Sequence, residues 1–133
     1  MITVRQHGYT LMELLIVVTI IGILASIISS FFGDNVQKAR CTEGRNAVLR
    51  GAAVLEKCRA AYGAYDNGNC DTSTFTGATP EGHFNVATSN VTPTAFTITA
   101  TGTGAAAAGN NTICPTITIN ELGVQGGTGT DPW

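Results

Sequence analysis

The apolar positions of this chain follow three successive patterns: an unbroken run, a three-and-four spacing, and an alternation. From Tyr9 to Phe32 there are twenty-four residues in which Glu13 is the only ionisable group besides the Tyr9 phenol. At about 1.5 Å per residue, a helix of that length crosses a bilayer core of about 30 Å. Gly33-Asp34-Asn35 has the composition of a helix end, yet helical spacing resumes at once. Cys41, Gly44, Val48, Ala52, Leu55, Cys58 and Tyr62 recur every three or four positions and form one stripe. Lys38, Arg45, Arg50, Glu56 and Lys57 fall largely off it. The spacing predicts one continuous or gently broken helix from about Tyr9 to about Tyr62, with Gly63 as its stop. Its second half is amphipathic and needs a domain to pack on.

Beyond the helix, 64–82 is rich in Gly, Asn, Asp and Thr and reads as a loop, which Tyr65 and Phe75 tuck onto the domain. Three runs then read as strands. His83 to Ala87 is short. Ala95 to Thr101 alternates Phe96, Ile98 and Ala100 with threonines. Ile113 to Asn120 alternates Ile113, Ile117 and Ile119 with Thr116, Thr118 and Asn120, after an irregular start at Cys114-Pro115. A weak fourth strand is expected at Leu122 to Val124. Gly102 to Asn111 reads as a low-complexity hairpin connection, and the glycine-rich tail from Gly126 ends in Trp133, expected to dock on the sheet.

Composition changes this picture less than distribution does. The 133 residues carry a formal charge of −2. Apart from Arg5, every Lys and Arg lies between Lys38 and Arg59, and none follows. The remaining half holds Asp66, Asp71, Glu81, Glu121 and Asp131, a poor electrostatic match for a phosphate backbone.

The first eight residues form a short polar leader carrying Arg5 and His7. A cleaved secretory signal has an apolar run of roughly 7–15 residues and a small-residue cleavage site. Here the run is longer, and Ala25-Ser26-Ile27 is only a weak site of that kind. An uncleaved signal anchor is the plainer alternative. A carboxylate such as Glu13 is costly in lipid, about 2.5–3.5 kcal/mol if central. No basic partner lies within the apolar segment, so one must come from outside it.

Gly8-Tyr9-Thr10-Leu11-Met12-Glu13-Leu14-Leu15-Ile16-Val17-Val18, followed by Ile20-Ile21-Gly22-Ile23-Leu24-Ala25, resembles the N-terminus of type IV pilins and pseudopilins. The motif is a glycine, an aromatic, and a glutamate four residues after the aromatic, opening a long apolar helix. The resemblance implies a class III prepilin, minor-pilin-like, with an α+β type IV pilin fold: a long N-terminal helix packed on a small antiparallel sheet. It implies cleavage between Gly8 and Tyr9 by a prepilin peptidase on the cytoplasmic side, and N-methylation of Tyr9, where the family usually has phenylalanine. It divides the chain into a leader (1–8), a transmembrane and assembly half of the helix (9–32), an amphipathic half (33–63), and a loop plus sheet (64–133). In the family's assembly scheme the new amine of one subunit pairs with the glutamate of a neighbour, here Glu13. A carboxylate in the first helical turn is also favoured by the helix dipole. Many pilins carry a proline midway along the membrane helix. Here Ser30 stands there, leaving Gly22, Gly33 and Ser29-Ser30 as weak points.

The charge count near the membrane ends conflicts with this orientation. More Lys and Arg follow the apolar run than precede it, and the positive-inside rule alone sends the N-terminus outward. The cysteines need the oxidising side, and the leader is short, so the head is placed in the periplasm before assembly and in an extracellular pilus afterwards.

Four cysteines in a short chain with an export-type N-terminus favour disulfides over a metal site, because no pair has ligand spacing. Cys41 and Cys58 are seventeen residues apart, about 25 Å along a helix, whereas bridged Cα atoms lie within about 7 Å. They cannot pair with each other, which leaves two connectivities to Cys70 and Cys114. The short return to the helix favours Cys58–Cys70, with Cys41–Cys114 joining helix to sheet. The pilin pattern often has a cysteine just before a terminal tryptophan; Asp131-Pro132 stands there instead.

No catalytic set, phosphate loop or EF-hand loop is visible, His83 reads as a strand or surface residue, and no cofactor is expected. Asn90-Val91-Thr92 and Asn110-Asn111-Thr112 match the glycosylation pattern as chance hits. The expected partners are other pilin subunits, a prepilin peptidase, an inner-membrane assembly platform and lipid. The basic helix face is a solvated surface in the plainer reading, and meets acidic halves of neighbouring subunits in the sharper one. DNA is a less favoured partner, through the alternative role of a DNA- or surface-binding receptor pilin, and a type II secretion pseudopilin is a further alternative.

Overall fold

The computed structural model describes residues 9–107 and 110–133, the side chains of 29–31 excepted. The leader with Gly8, the side chains of Ser29 and Ser30, and Ala108-Gly109 of the expected hairpin connection lie outside the described residues. The chain divides into two compact units, Met1–Asn35 and Val36–Trp133. Helix α1, Leu11–Tyr62, contributes to both. It continues through Gly22 and Gly33, and ends where Gly63 takes φ +81° and donates its N–H to the Arg59 carbonyl.

The second unit is built on a five-stranded antiparallel meander in the order β1-β2-β3-β4-β5. The strands are β1 (Gly77–Ala78), β2 (Phe84–Ser89), β3 (Thr97–Gly102), β4 (Thr116–Asn120) and β5 (Gln125–Thr128). One face of the sheet is apolar. Val86 lies opposite Ala100 and Ala100 opposite Ile117, while Ile98 lies opposite Ile119. These residues, with Phe84, are buried.

The helical residues that cover this face are Cys41, Gly44, Val48, Gly51, Leu55 and Cys58. They alternate in steps of three and four, the spacing that keeps one helical stripe facing a partner. Gly44 is there because the sheet comes close, and Gly51 because Phe75 of the 64–82 loop does. A Cβ at Gly44 would lie 2.8 Å from Ile117 Cδ1, and one at Gly51 2.6 Å from Phe75 Cδ2. Two positions of the expected stripe differ. Gly51 is buried and Ala52 only partly so, and a Cβ at position 51 would force Phe75 to shift. Tyr62 is 52% exposed, since the core cluster does not extend to it.

The expected strands shift at their edges for readable reasons. β2 starts at Phe84, not His83, because His83 is occupied with a helix carboxylate. Leu122 to Val124 is a turn rather than a strand: Asn120 Oδ1 accepts from the Leu122 and Val124 N–H groups, and Gly123 takes φ +71°. The strand instead lies in Gln125–Thr128, part of the expected tail. It pairs with β4 through backbone groups, and its Gly126-Gly127 carries no alternation to read. At Gly127 a Cβ would lie 2.2 Å from the Thr116 carbonyl oxygen, so glycine is required. The 64–82 loop also holds a 3-10 turn at Thr72–Thr74, capped by Asp71, and the two-residue β1.

Two disulfides join the helix to the rest of the unit. Cys41 and Cys114 are bridged with Cα atoms 5.8 Å apart, and Cys58 and Cys70 with Cα atoms 5.6 Å apart. Asn111, almost fully buried beside the first, accepts from the Ile113 and Cys114 N–H groups and donates to Cys114 Sγ. A buried amide of this kind is sustained only because each polar atom finds a partner.

Candidate functional site: the apolar helix segment and the charged helix face

The first half of α1 carries the most function-bearing surface. The window Leu11–Ile28 has mean hydropathy 2.7, and none of its residues is buried. Leu11 is 87% exposed and Met12 72%. Removing such side chains from water is worth roughly 1.5–3 kcal/mol each, so this surface is stable only in lipid or against other apolar surface. Its two described hydroxyls are compatible with that setting. Thr19 Oγ1 donates to the Ile16 carbonyl and Ser26 Oγ to the Ile23 carbonyl. Each polar group is thus satisfied within the helix, as a bilayer demands.

The N-terminus of the segment is set by Thr10-Leu11-Met12-Glu13. Thr10 caps the helix, its Oγ1 accepting from the Glu13 N–H at 3.3 Å while its carbonyl accepts from the Glu13 and Leu14 N–H groups. The Thr-x-x-Glu spacing is the sequence signature of such a start, and it was there to be read. It puts Glu13 in the first turn, where the helix dipole favours a carboxylate. Tyr9 precedes the cap and is 84% exposed.

The second half of α1 carries every Lys and Arg of the chain except Arg5, and among the described residues three of these six, Arg40, Arg45 and Arg59, are engaged within the chain. Arg45 Nε donates to the Pro132 carbonyl at 3.0 Å and Nη2 to the Asp131 carbonyl at 2.9 Å, with the Asp131 carboxylate 3.7 Å away. Arg40 donates to the Ala105 carbonyl at 3.4 Å. Arg59 donates to the Tyr65 hydroxyl at 3.0 Å and lies over its ring, 5.0 Å from the centroid. Burial pushes the Tyr65 phenol above its ordinary range, and its hydrogen bond to Glu56 at 2.7 Å adds to the effect. Tyr65 also meets Phe96 edge-on at 4.8 Å, fixing the loop after the helix to the core. The acidic C-terminal stretch that the basic face was expected to meet in neighbours is met, at Arg45, within the same chain. Lys38, Arg50 and Lys57 are exposed.

The outer face of the sheet is uncharged. Its rows read Asn85, Thr101, Thr116, Thr128; then Ala87, Thr99, Thr118, Gly126; then Ser89, Thr97, Asn120. The tail folds back beside β4: Thr130 N–H donates to the Thr112 carbonyl and Asp131 N–H to that of Ile113. Trp133 packs against the core and donates from Nε1 to the Gly126 carbonyl at 2.7 Å.

Among the described residues, one constellation is not announced by the sequence. Glu43 on α1, Glu81 in the β1–β2 turn and His83 converge, with ligand-type atoms within 4.8 Å of one another. Forty residues separate Glu43 from His83, so no short motif announces them.

An apolar helix segment with a lone glutamate in its first turn, continuing into a helix that packs on an antiparallel meander, defines a type IV pilin subunit. Family comparison is consistent along the chain. The model described as "Prokaryotic N-terminal methylation motif" matches residues 3–29. The model described as "Type IV minor pilin ComP, DNA uptake sequence receptor" matches residues 31–118, well over half of the chain, and the chain belongs to that family. Among solved structures, the Neisseria meningitidis non-core minor pilin PilV has the same fold. Its TM-score is 0.57 at 24% identity, over 72% of this chain and 90% of that one. The chain is thus a minor pilin, anchored in the membrane by its apolar helix before assembly into a type IV pilus with other pilins. Its motif is that of a prepilin peptidase substrate.

Proposed function

We propose that this chain is a structural minor pilin inserted into the filament through Leu11–Ile28, and that it catalyses no reaction. Prepilin peptidase cuts between Gly8 and Tyr9, and the new Tyr9 amine is N-methylated. That amine on one subunit pairs with the Glu13 carboxylate of a neighbour. Before assembly the segment lies in lipid, from which the inner-membrane assembly platform extracts it. One observation carries this reading: an eighteen-residue apolar surface with none of its residues buried and one ionisable side chain, Glu13. In lipid an unpaired carboxylate is costly, so pairing with the amine favours assembly and sets the axial register.

The test is Glu13→Val. Membrane insertion should persist while incorporation into filaments falls at least tenfold, read by immunoblot of sheared pili against whole membranes. Unchanged incorporation overturns the pairing. For the cut, Gly8→Ala should leave unprocessed precursor, and normal-sized mature chain refutes the assignment.

The family description, which names a DNA uptake sequence receptor, favours a second reading: duplex binding by this chain. We place it second on charge. Among the described residues, Lys38, Arg50 and Lys57 are the helix cations for which the tail, the connection and the tyrosine provide no hydrogen bond, and the outer sheet face carries no cation. Three phosphate contacts give a salt slope of only about −2.7. A gel-shift series with the full chain in detergent, from about 50 to 200 mM salt, separates the readings. Salt-dependent binding lost in Lys38→Ala/Arg50→Ala/Lys57→Ala establishes the receptor role, and absence of such binding removes it.

A further inference from the structure

We propose that Glu43, Glu81 and His83 form a site for a divalent transition-metal ion of the zinc class, clamping the β1–β2 turn to α1. The site is independent of the apolar segment and of the pilin reading above. Its central atom is His83 Nδ1. Glu43 Oε2 lies 2.7 Å from it and Glu81 Oε2 3.7 Å. Two carboxylates thus aim at one nitrogen, which can offer one proton at most. A divalent cation in the proton's place satisfies all three groups at once.

The geometry suits such an ion. Zinc holds nitrogen and oxygen ligands at about 2.0–2.2 Å, which places tetrahedral donors about 3.3 Å apart. The two separations from Nδ1, 2.7 and 3.7 Å, straddle that value, and all three donors lie within 4.8 Å of one another, so the widest pair draws in on binding. One imidazole and two carboxylates fill three positions and leave the fourth for water, whereas calcium asks for six to eight oxygens.

The scaffold holds the donors before any ion arrives. Glu43 is only 12% exposed at its side chain, and its Oε1 accepts from the Glu81 N–H at 3.2 Å. Gly82, at φ +75°, reverses the chain between Glu81 and His83 so that both side chains turn toward the helix. The turn's backbone is pinned from two sides. Gly82 N–H donates to the Thr79 carbonyl, Thr103 Oγ1 donates to the Gly82 carbonyl, and Thr103 N–H donates to the His83 carbonyl. Ligands positioned this way need little reorganisation on binding. The open groove beside Glu43 and Glu81, about 310 Å³ and lined also by Thr42, Asn46 and Arg50, gives an ion a path from solvent.

The test uses the full chain in detergent, stripped with EDTA and dialysed against zinc chloride. The expected result is one zinc per chain, with zinc at a hundredfold over its dissociation constant raising the unfolding temperature by on the order of 10 °C. His83→Gln should bind at least tenfold more weakly. Glu81→Gln, at a side chain 72% exposed that the fold does not need, should weaken binding by a similar factor with an unchanged circular dichroism spectrum. No zinc uptake by the parent chain overturns the proposal. So does equal uptake by the parent and both variants, which would put the metal elsewhere in the sequence.

Discussion

The two disulfides close loops of very different length, and that difference predicts unequal losses when each is removed. Cys41 and Cys114 are separated by 73 residues, Cys58 and Cys70 by 12. In the chain-entropy treatment, the first restricts the unfolded chain by about 4.4 kcal/mol and the second by about 2.8 kcal/mol at 25 °C. The gap of about 1.6 kcal/mol comes only from the logarithm of the loop lengths. Packing widens it. Cys41 and Cys114 are fully buried, and Cys114 Sγ accepts from Asn111, so removing the pair also leaves a buried amide short of a partner. Cys58 keeps some exposure and faces a loop. Cys41→Ala/Cys114→Ala should therefore lower the unfolding temperature more than Cys58→Ala/Cys70→Ala. At about 4–8 °C per kcal/mol for a unit of this size, the gap between the variants is at least about 6 °C. Thermal unfolding of the full chain in detergent, followed by far-ultraviolet circular dichroism, reads it. Equal losses, or a larger loss for the short loop, would refute the reasoning.

Other perturbations follow from single contacts. Gly102→Ala would place a Cβ 1.8 Å from the Ala106 carbonyl oxygen, so backbone must move; a loss of about 1–3 kcal/mol is expected in urea unfolding. Arg45→Ala removes two hydrogen bonds to the Asp131 and Pro132 carbonyls, and hydrogen exchange should speed up at Thr130 and Asp131 while β2 and β3 stay protected. For Glu43, burial raises the carboxyl pKa, but hydrogen bonds from Thr79, His83 and the Glu81 N–H together outweigh it and hold the value below 4.5. A carboxylate with a depressed folded pKa stabilises above its unfolded value, and that stability is lost as pH falls through the folded one. The parent chain should then lose stability on acidification below about pH 4.5, and Glu43→Gln should show a shallower loss, read from unfolding midpoints at a series of pH values.

The chain's own order of residues decided its helix and its destination. Twenty-four largely apolar residues whose only carboxylate is one early glutamate need no tertiary contact to be a membrane-competent helix, because backbone hydrogen bonding within the segment satisfies itself. The three-and-four spacing from Cys41 to Cys58 likewise named most of the packing face, and helical rise alone ruled out a Cys41–Cys58 bridge. What a linear reading lacked was everything set by distance across the fold. That Gly51 rather than Ala52 lies under Phe75 depends on how closely the 64–82 loop and Ile98 of β3 approach the helix, and this is decided by side chains from other parts of the chain. Strand β5 has no hydrophobic signature because it is held by backbone pairing to β4. The partners of Arg45, Arg59 and His83 come from the tail, the post-helix loop and the helix. Local periodicity reports what a segment can become, whereas charge pairing and ligand convergence exist only once chain closure has brought distant residues within a few ångströms.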